Sequence, residues 1–226
     1  MSVFDNEKLK TMVAERHSVR KYSSGLGQED KEKMEAAISE VNSESGLSIE
    51  LVCGNPAGLQ KFGMKGHFAG AEDYIVLAGP DKDDLERECG YWGERLALYA
   101  QSIGLNTCWA AMINKKEVMK HVPEGAKYVL VIVIGHGAEQ GAAHESKPAE
   151  KLSNVTADSP QWFRDGVEYA MKAPTAMNKQ NFYFELQADG KVRAKPVGGM
   201  FTDIDTGIAE TDFELGAGMG KFEWAE

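Results

Sequence analysis

Leu85-Glu-Arg-Glu-Cys-Gly-Tyr-Trp-Gly-Glu-Arg-Leu-Ala-Leu-Tyr-Ala-Gln-Ser-Ile103 decides the fold. Leu85, Cys89, Trp92, Leu96, Tyr99 and Ile103 recur at steps of 4, 3, 4, 3 and 4 residues, which places them on one face of an α-helix. Asp83 and Asp84 offer its N-cap and Gly104 its C-terminal stop. The steps also suit a coiled-coil seam, but the segment spans too few heptads to prefer one. Gly90, Gly93, Ala97 and Ala100 add a narrow face of small residues against which another helix can pack closely. The reading is a central buried helix.

Working outward, Asn6 to Glu15 predicts a helix with Leu9, Met12 and Val13 inward, and Glu29 to Val41 another. Ser48 to Cys53 alternates like a strand, and Tyr74 to Ala78 reads as a short buried one ending at Gly79-Pro80. Lys127 to Gly135 is a continuous apolar run, the pattern of a strand buried on both faces. Glu139 to Asn154 is polar and predicts a loop with a short helix. Gln161 to Lys172 predicts a helix, Phe182 to Gln187 and Val192 to Lys195 a hairpin turning at Asp189-Gly190, and Asp205 to Ala217 a closing helix. Long helices with non-alternating strands give an α+β class. Ala37 to Val52 and Lys172 to Gln187 share an order, helix, polar loop and strand, ending Ile-Glu-Leu and Phe-Glu-Leu. Duplication and chance account for that echo equally well.

Composition narrows the function classes. The 226 residues carry Lys+Arg 25 against Asp+Glu 35, a net charge of −10, and 42% are hydrophobic. So acidic a chain lacks the basic stripe that nucleic acid requires. Its longest apolar run, Val129 to Ile134, is far short of the roughly 18 residues of a membrane span. Cys53, Cys89 and Cys108 are odd in number and widely spaced, which fits neither a disulfide framework nor a zinc knuckle. With no apolar run near the N-terminus, the expectation is a cytoplasmic globular protein. The histidines show no paired metal-ligand spacing, and no serine or cysteine sits in a nucleophile turn. Gly216 to Phe222 fails the phosphate-loop spacing, and Asp203, Asp205 and Glu214 fail the calcium-loop pattern at Gly207 and Ile208. Helix capping is the better reading of the two aspartates.

Two segments carry chemistry. Arg16-His17-Ser18-Val19-Arg20-Lys21 is the densest set of anion donors in the chain. Forked guanidinium groups and a hydroxyl can chelate a phosphate, though the same residues also suit a solvated basic end of the first helix. Lys172 to Phe182 stops a helix and presents Thr175, Asn178 and Gln180 in a loop. Their donor and acceptor groups match the mixed edge of a heteroaromatic ring, or simply cap the loop.

Together with the central helix, these segments resemble the FMN-dependent nitroreductase family. Arg16-His17-Ser18-Val19-Arg20-Lys21-Tyr22 is similar to its R-[RH]-S-x-R-x-[FY] opening, and Gln101 to Trp109 to its A-x-x-L-G-L-G-[ST]-C-W segment. Ile134-Gly135-His136-Gly137 with Lys147-Pro148 resembles G-[YH]-[GP] followed by [RK]-K-P. Ala173 to Gln180 resembles A-P-[ST]-[AS]-x-N-x-Q.

The resemblance implies a mixed sheet flanked by helices and a non-covalent FMN. It assigns Arg16, His17 and Ser18 to the phosphate, with Lys147 as a second clamp. Arg20 falls at the flavin edge that gains negative charge on reduction, and backbone around Ala110, Ala111 and Met112 near N5 and the pyrimidine. Pro174, Thr175, Ala176 and Asn178 fall to the cover of ring and ribityl. It assigns no catalytic acid–base pair and no metal.

The order departs from the family's. The A-P-[ST] loop ordinarily follows the first two helices, where this chain has Asn42 to Gly46, and Glu145 stands where a basic residue is common. In dimeric members that loop reaches the flavin from the partner subunit. A single-chain pseudo-dimer with one FMN is therefore expected, residues 1–155 forming the first half and 156–226 a shorter second half, with a homodimer as the alternative. The expected activity is reduction of a small-molecule electron acceptor, such as a nitroaromatic or quinone, with NAD(P)H as donor in a ping-pong cycle. Another redox reaction on the same scaffold, such as reductive dehalogenation, or a non-catalytic FMN-binding or sensory role, are the rivals. No nucleotide signature chooses NADH or NADPH, and acceptor choice is expected to follow the loop from Gly54 to Phe68.

Overall fold

The computed structural model describes residues 2–60 and 67–225. The chain divides into two compact units, neither contiguous in sequence. The first comprises Met1–Phe4, Glu15–Leu85 and Leu96–Ala142; the second comprises Asp5–Ala14, Glu86–Arg95 and Ala143–Glu226.

The elements in chain order are α1 (Asn6–Glu15), β1 (Tyr22–Ser24), α2 (Gln28–Ser45), β2 (Glu50–Val52), β3 (Asp73–Gly79), α3 (Leu85–Ser102) and β4 (Asn106–Ala110). They continue with α4 (Lys115–Val118), β5 (Lys127–Gly137), α5 (Ala149–Leu152), α6 (Gln161–Ala170), β6 (Phe182–Leu186), β7 (Val192–Pro196) and α7 (Thr202–Ala217).

The first unit is organised by β5. Its apolar run is buried as its composition requires, with Val131, Ile132, Val133 and Ile134 at 0% exposure. β3 lies antiparallel along one edge of β5, with Tyr74 opposite Val133 and Val76 opposite Val131, and β2 lies beyond β3. Along the other edge run β4, with Cys108 opposite Val133, and then β1, whose Tyr22 faces Gly137. Parallel pairing occurs at the isolated bridges Ser18–Thr107 and Lys21–Ala69. One sheet face buries Val19, Tyr22, Tyr74, Val76, Cys108, Ala110, Val131 and Val133 in a single cluster. α2 runs four residues past the expected Val41 and ends where Gly46 takes a left-handed φ of 72°, the backbone cap that glycine allows.

The second unit is built on α7, which is buried along nearly its whole length. The small residues read as a packing face act as expected. A Cβ on Gly90 would lie 2.2 Å from the Ile204 carbonyl oxygen, and one on Gly207 1.9 Å from that of Arg87. The backbones of α3 and α7 thus cross in direct contact, which only glycine at both positions permits. Flanking the crossing, Arg87 forms a two-pronged ion pair with the buried Glu210, its Nε donating to Oε2 at 2.8 Å. Tyr91 Oη donates to Glu214 at 2.5 Å, and Trp224 Nε1 donates to the other oxygen of that carboxylate at 2.7 Å. The β6–β7 hairpin contributes Phe184, stacked 4.6 Å from Phe213 of α7, and the C-terminal segment adds Phe222 and Trp224 to the same aromatic cluster.

β1 and β4 escape the sequence reading. Tyr22-Ser-Ser is polar and irregularly registered, and Asn106 to Ala110 is too short to show a period. The aspartates correct another expectation: α7 begins at Thr202, and Asp205 does not cap it.

Candidate functional site

In the first unit, the Arg16–Arg20 segment lies against β4. Ser18 bridges Thr107, and Val19 N–H donates to the Thr107 carbonyl at 3.0 Å. Arg16 is buried to 3% exposure, so it is no solvated helix end; His17 and Ser18 are half-buried, and Arg20 is exposed. Burial pushes the Cys108 thiol up, opposed by the Arg20 charge, a Ser18 hydrogen bond and the Arg16 charge. Burial, reinforced by Cys108, likewise raises the phenol of Tyr22, whose hydroxyl donates to the Val19 carbonyl at 2.8 Å.

Gly141 closes over the segment. With φ of 73°, it sits where a Cβ would come within 3.0 Å of both His17 Cβ and the Ser18 carbonyl oxygen. Asn106 steadies this strap, accepting from Gly137 N–H at 3.1 Å and donating to Gln140 at 3.0 Å. Ala110, Ala111 and Met112 stand at the C-terminal end of β4, Ala110 in the core cluster with Val19 and Met112 exposed.

In the second unit, Lys147 and the Ala173–Gln180 loop form one network. Lys147 N–H donates to Gln180 Oε1 at 2.6 Å, and its Nζ donates to the Gln180 carbonyl at 3.2 Å. Asn178 Nδ2 donates to the Glu145 carbonyl at 2.9 Å, and Thr175 Oγ1 accepts from Gln180 N–H at 3.0 Å. Gln180 corrects the sequence reading. It is 1% exposed and spends its amide on Lys147 and the Met171 carbonyl, so it buttresses the loop rather than presenting itself. Pro174 is buried, Thr175 and Ala176 are half-buried, and Met177 and Asn178 are exposed. Met177, Asn178 and Gln180 all adopt left-handed φ, of 54°, 53° and 44°. Non-glycine residues hold that conformation only where surrounding bonds over-determine it.

Sequence reasoning misses Asp205. Its carboxylate accepts from Ala176 N–H at 3.0 and 3.1 Å, joining α7 to the middle of this loop. Burial pushes the carboxyl up to about 6, against the opposing effect of that N–H. No local motif announces it, because its partner lies 29 residues away.

The first-unit donor set fits a phosphate group: a buried guanidinium, a hydroxyl and a strand edge. The Thr107 hydroxyl, across the bridge from Ser18, is buried and has no hydrogen-bond partner among the described residues. Among the described residues, no group of three or more His, Cys, Asp or Glu is gathered as a metal ion would need, and no helix is long and apolar enough to cross a membrane. Of the loop expected to govern acceptor choice, residues 61–66 lie outside the described residues.

Comparison with solved structures puts the fold among the nitroreductases. A putative nitroreductase from Thermotoga maritima superposes with a TM-score of 0.68 at 18% identity, covering 95% of this chain and 86% of its own. An FMN-dependent nitroreductase from Clostridium difficile gives 0.51 at 19% identity, covering 66% of this chain and 98% of its own. A putative nitroreductase from Desulfovibrio desulfuricans, solved in complex with FMN, gives 0.50 at 17% identity, covering 67% and 96%. No curated protein matches the chain. The family model described as "Putative TM nitroreductase" matches residues 8–217, and the chain belongs to that family of oxidoreductases.

Proposed function

We propose that the chain is an FMN-dependent NAD(P)H oxidoreductase that reduces nitroaromatics, quinones or similar small acceptors in a ping-pong cycle. The observation that carries the reading is the Arg16–Ser18 segment, bridged to β4 with Arg16 buried, in a member of this family. Burial strengthens the attraction of a guanidinium for an anion, and a phosphate monoester suits a fork of donors beside a hydroxyl. Arg16, His17 and Ser18 bind that phosphate, and Lys147 adds a second cation. Arg20 supplies fixed positive charge where negative charge grows on reduction. Backbone at Ala110, Ala111 and Met112 orients the pyrimidine edge, while Pro174, Thr175, Ala176 and Asn178 shield ring and ribityl from water. FMN, when bound, supplies the redox chemistry, so the protein's work is binding, orientation and electrostatics.

One FMN per chain follows from the motifs, since residues 156–226 hold no second R-[RH]-S-x-R segment. Supporting a pseudo-dimer, nearly the whole Clostridium difficile chain aligns with two thirds of this one, leaving a third to act as the shortened second half. The test is flavin uptake by absorbance, mass in solution, and NADH or NADPH oxidation with a nitroaromatic or quinone. One FMN per monomer with turnover is the expected result. Replacing Arg16 by alanine is expected to weaken FMN binding about 10- to 100-fold, since a charge-assisted bond contributes roughly 1.5–3 kcal/mol. A chain that takes up no FMN refutes the reading.

A further inference from the structure

Asp205 is an expensive residue where it stands. It is 3% exposed, and among the described residues its carboxylate meets a single donor, the Ala176 N–H, through both oxygens. A carboxylate removed from water and bonded to one amide is poorly compensated. An asparagine of nearly the same shape would offer an oxygen to the same N–H without the charge. The helix dipole at the first turn of α7 offsets part of that cost but does not by itself account for the acid. What it holds does: Ala176 directly precedes Met177 and Asn178, two of the three left-handed residues of the Ala173–Gln180 loop.

The remaining bonds of the loop divide into two kinds. Asn178 N–H donates to the Thr175 carbonyl and Lys179 N–H to that of Ala176, which shape the turn but anchor it to nothing outside. Gln180, through Lys147 and Met171, and Asn178, whose Nδ2 donates to the Glu145 carbonyl, anchor the C-terminal part, and buried Pro174 the N-terminal end. Between them, Ala176 is fixed from outside the loop by Asp205. α7 is well suited to this task, being rigidly seated by the Gly90–Gly207 crossing and the Arg87–Glu210 pair.

We propose that Asp205 is the positioning residue of the Thr175–Asn178 segment: by clamping Ala176 N–H to α7, it fixes the geometry in which Thr175, Ala176 and Asn178 meet bound flavin. The proposal rests on the FMN reading above and extends it to a residue that touches no cofactor. A charged acceptor forms a stronger bond than an amide oxygen, which is what a loop with three left-handed residues needs at its centre.

The experiment compares Asp205→Ala and Asp205→Asn with the unaltered chain, free and loaded with FMN. In the FMN-free protein, amide hydrogen exchange at Ala176, Asn178 and Lys179 is expected to rise at least 10-fold in Asp205→Ala and less in Asp205→Asn. The thermal midpoint is expected to stay level or rise, where a merely structural role would lower it. In the loaded protein, FMN affinity is expected to fall at least 5-fold in the alanine variant and the visible circular dichroism of the flavin to change, with the asparagine variant restoring part of both. Unchanged exchange in both variants overturns the proposal, as does faster exchange with unaltered FMN affinity and dichroism. Failure of the unaltered chain to take up FMN overturns the functional reading and the flavin half of this proposal together. The exchange data would still report separately whether Asp205 holds the loop.

Discussion

Replacing Gly207 by alanine adds one methyl group to α7 at the point where it crosses α3. Two effects oppose each other. Alanine is favoured over glycine inside a helix by about 1 kcal/mol, through reduced backbone freedom in the unfolded chain. Against this, the new Cβ would sit 1.9 Å from the Arg87 carbonyl oxygen and 2.8 Å from the Tyr91 nitrogen. Both atoms are main chain, so no side-chain rotation relieves the clash. The helices must separate by about 1 Å or more before the pair reaches ordinary contact, which forfeits a large part of the dispersion along the crossing. Overpacking of this kind costs roughly 1–3 kcal/mol and occasionally more. It also stretches the bond from Thr211 Oγ1 to the Tyr91 carbonyl, now 2.7 Å. The steric effect wins, leaving a net loss of about 1–2 kcal/mol, which for a chain of this size lowers the thermal midpoint by about 2–8 °C. Calorimetry or circular dichroism melts of the two proteins decide it. A midpoint that is unchanged or raised would mean that helix propensity prevails and that the crossing is not the close contact described.

Two further outcomes follow from the charges of the same unit. Arg87→Ala strands the buried Glu210 carboxylate without its counter-charge, beside Glu214, and is expected to cost about 3 kcal/mol in urea unfolding, whereas Arg87→Met with Glu210→Met recovers most of that loss; equal losses in the two proteins would refute it. Asp205 ionises at about 6 in the folded chain, against 3.8 for an aspartate free in water. Between those values the folded state holds a proton that the unfolded state has released, so stability from this group falls as pH rises through the window. The advantage of Asp205→Asn over the unaltered chain is therefore expected to grow by about 2 kcal/mol from pH 4 to pH 7. A difference that stays constant with pH would remove Asp205 from the account.

What the sequence reveals follows the range of the forces involved. The α3 face and the β5 run are legible because burial imposes its period on consecutive residues, and the glycine at 90 because it falls where a helix surface must be narrow. The anion-donor segment is legible as a dense local cluster in an acidic chain. β4 is not, since Asn106 to Ala110 gains its strand character from pairing with β5 rather than from a pattern of its own. Gln180 and Asp205 are hidden for a related reason. One looks like an exposed amide and the other like a helix cap until the fold supplies Lys147, Met171 and Ala176 as partners.

The interleaving of the two units has a consequence for how the protein is made. The last segment of the first unit ends at Ala142, so all of its β-sheet can pair while the remainder of the chain is still being synthesised. The second unit has no such opportunity. Its earliest pieces, Asp5–Ala14 and Glu86–Arg95, emerge long before α7, and its aromatic cluster closes only with Phe222 and Trp224. Until then Leu9, Val13 and Cys89, all buried in the finished structure, lack the α7 and hairpin surfaces of their own unit. Contacts so distant in sequence form slowly and leave apolar surface open to association in the interval. The nascent chain is therefore most exposed to aggregation between the appearance of Arg95 and the arrival of α7, and that interval is where a chaperone would act.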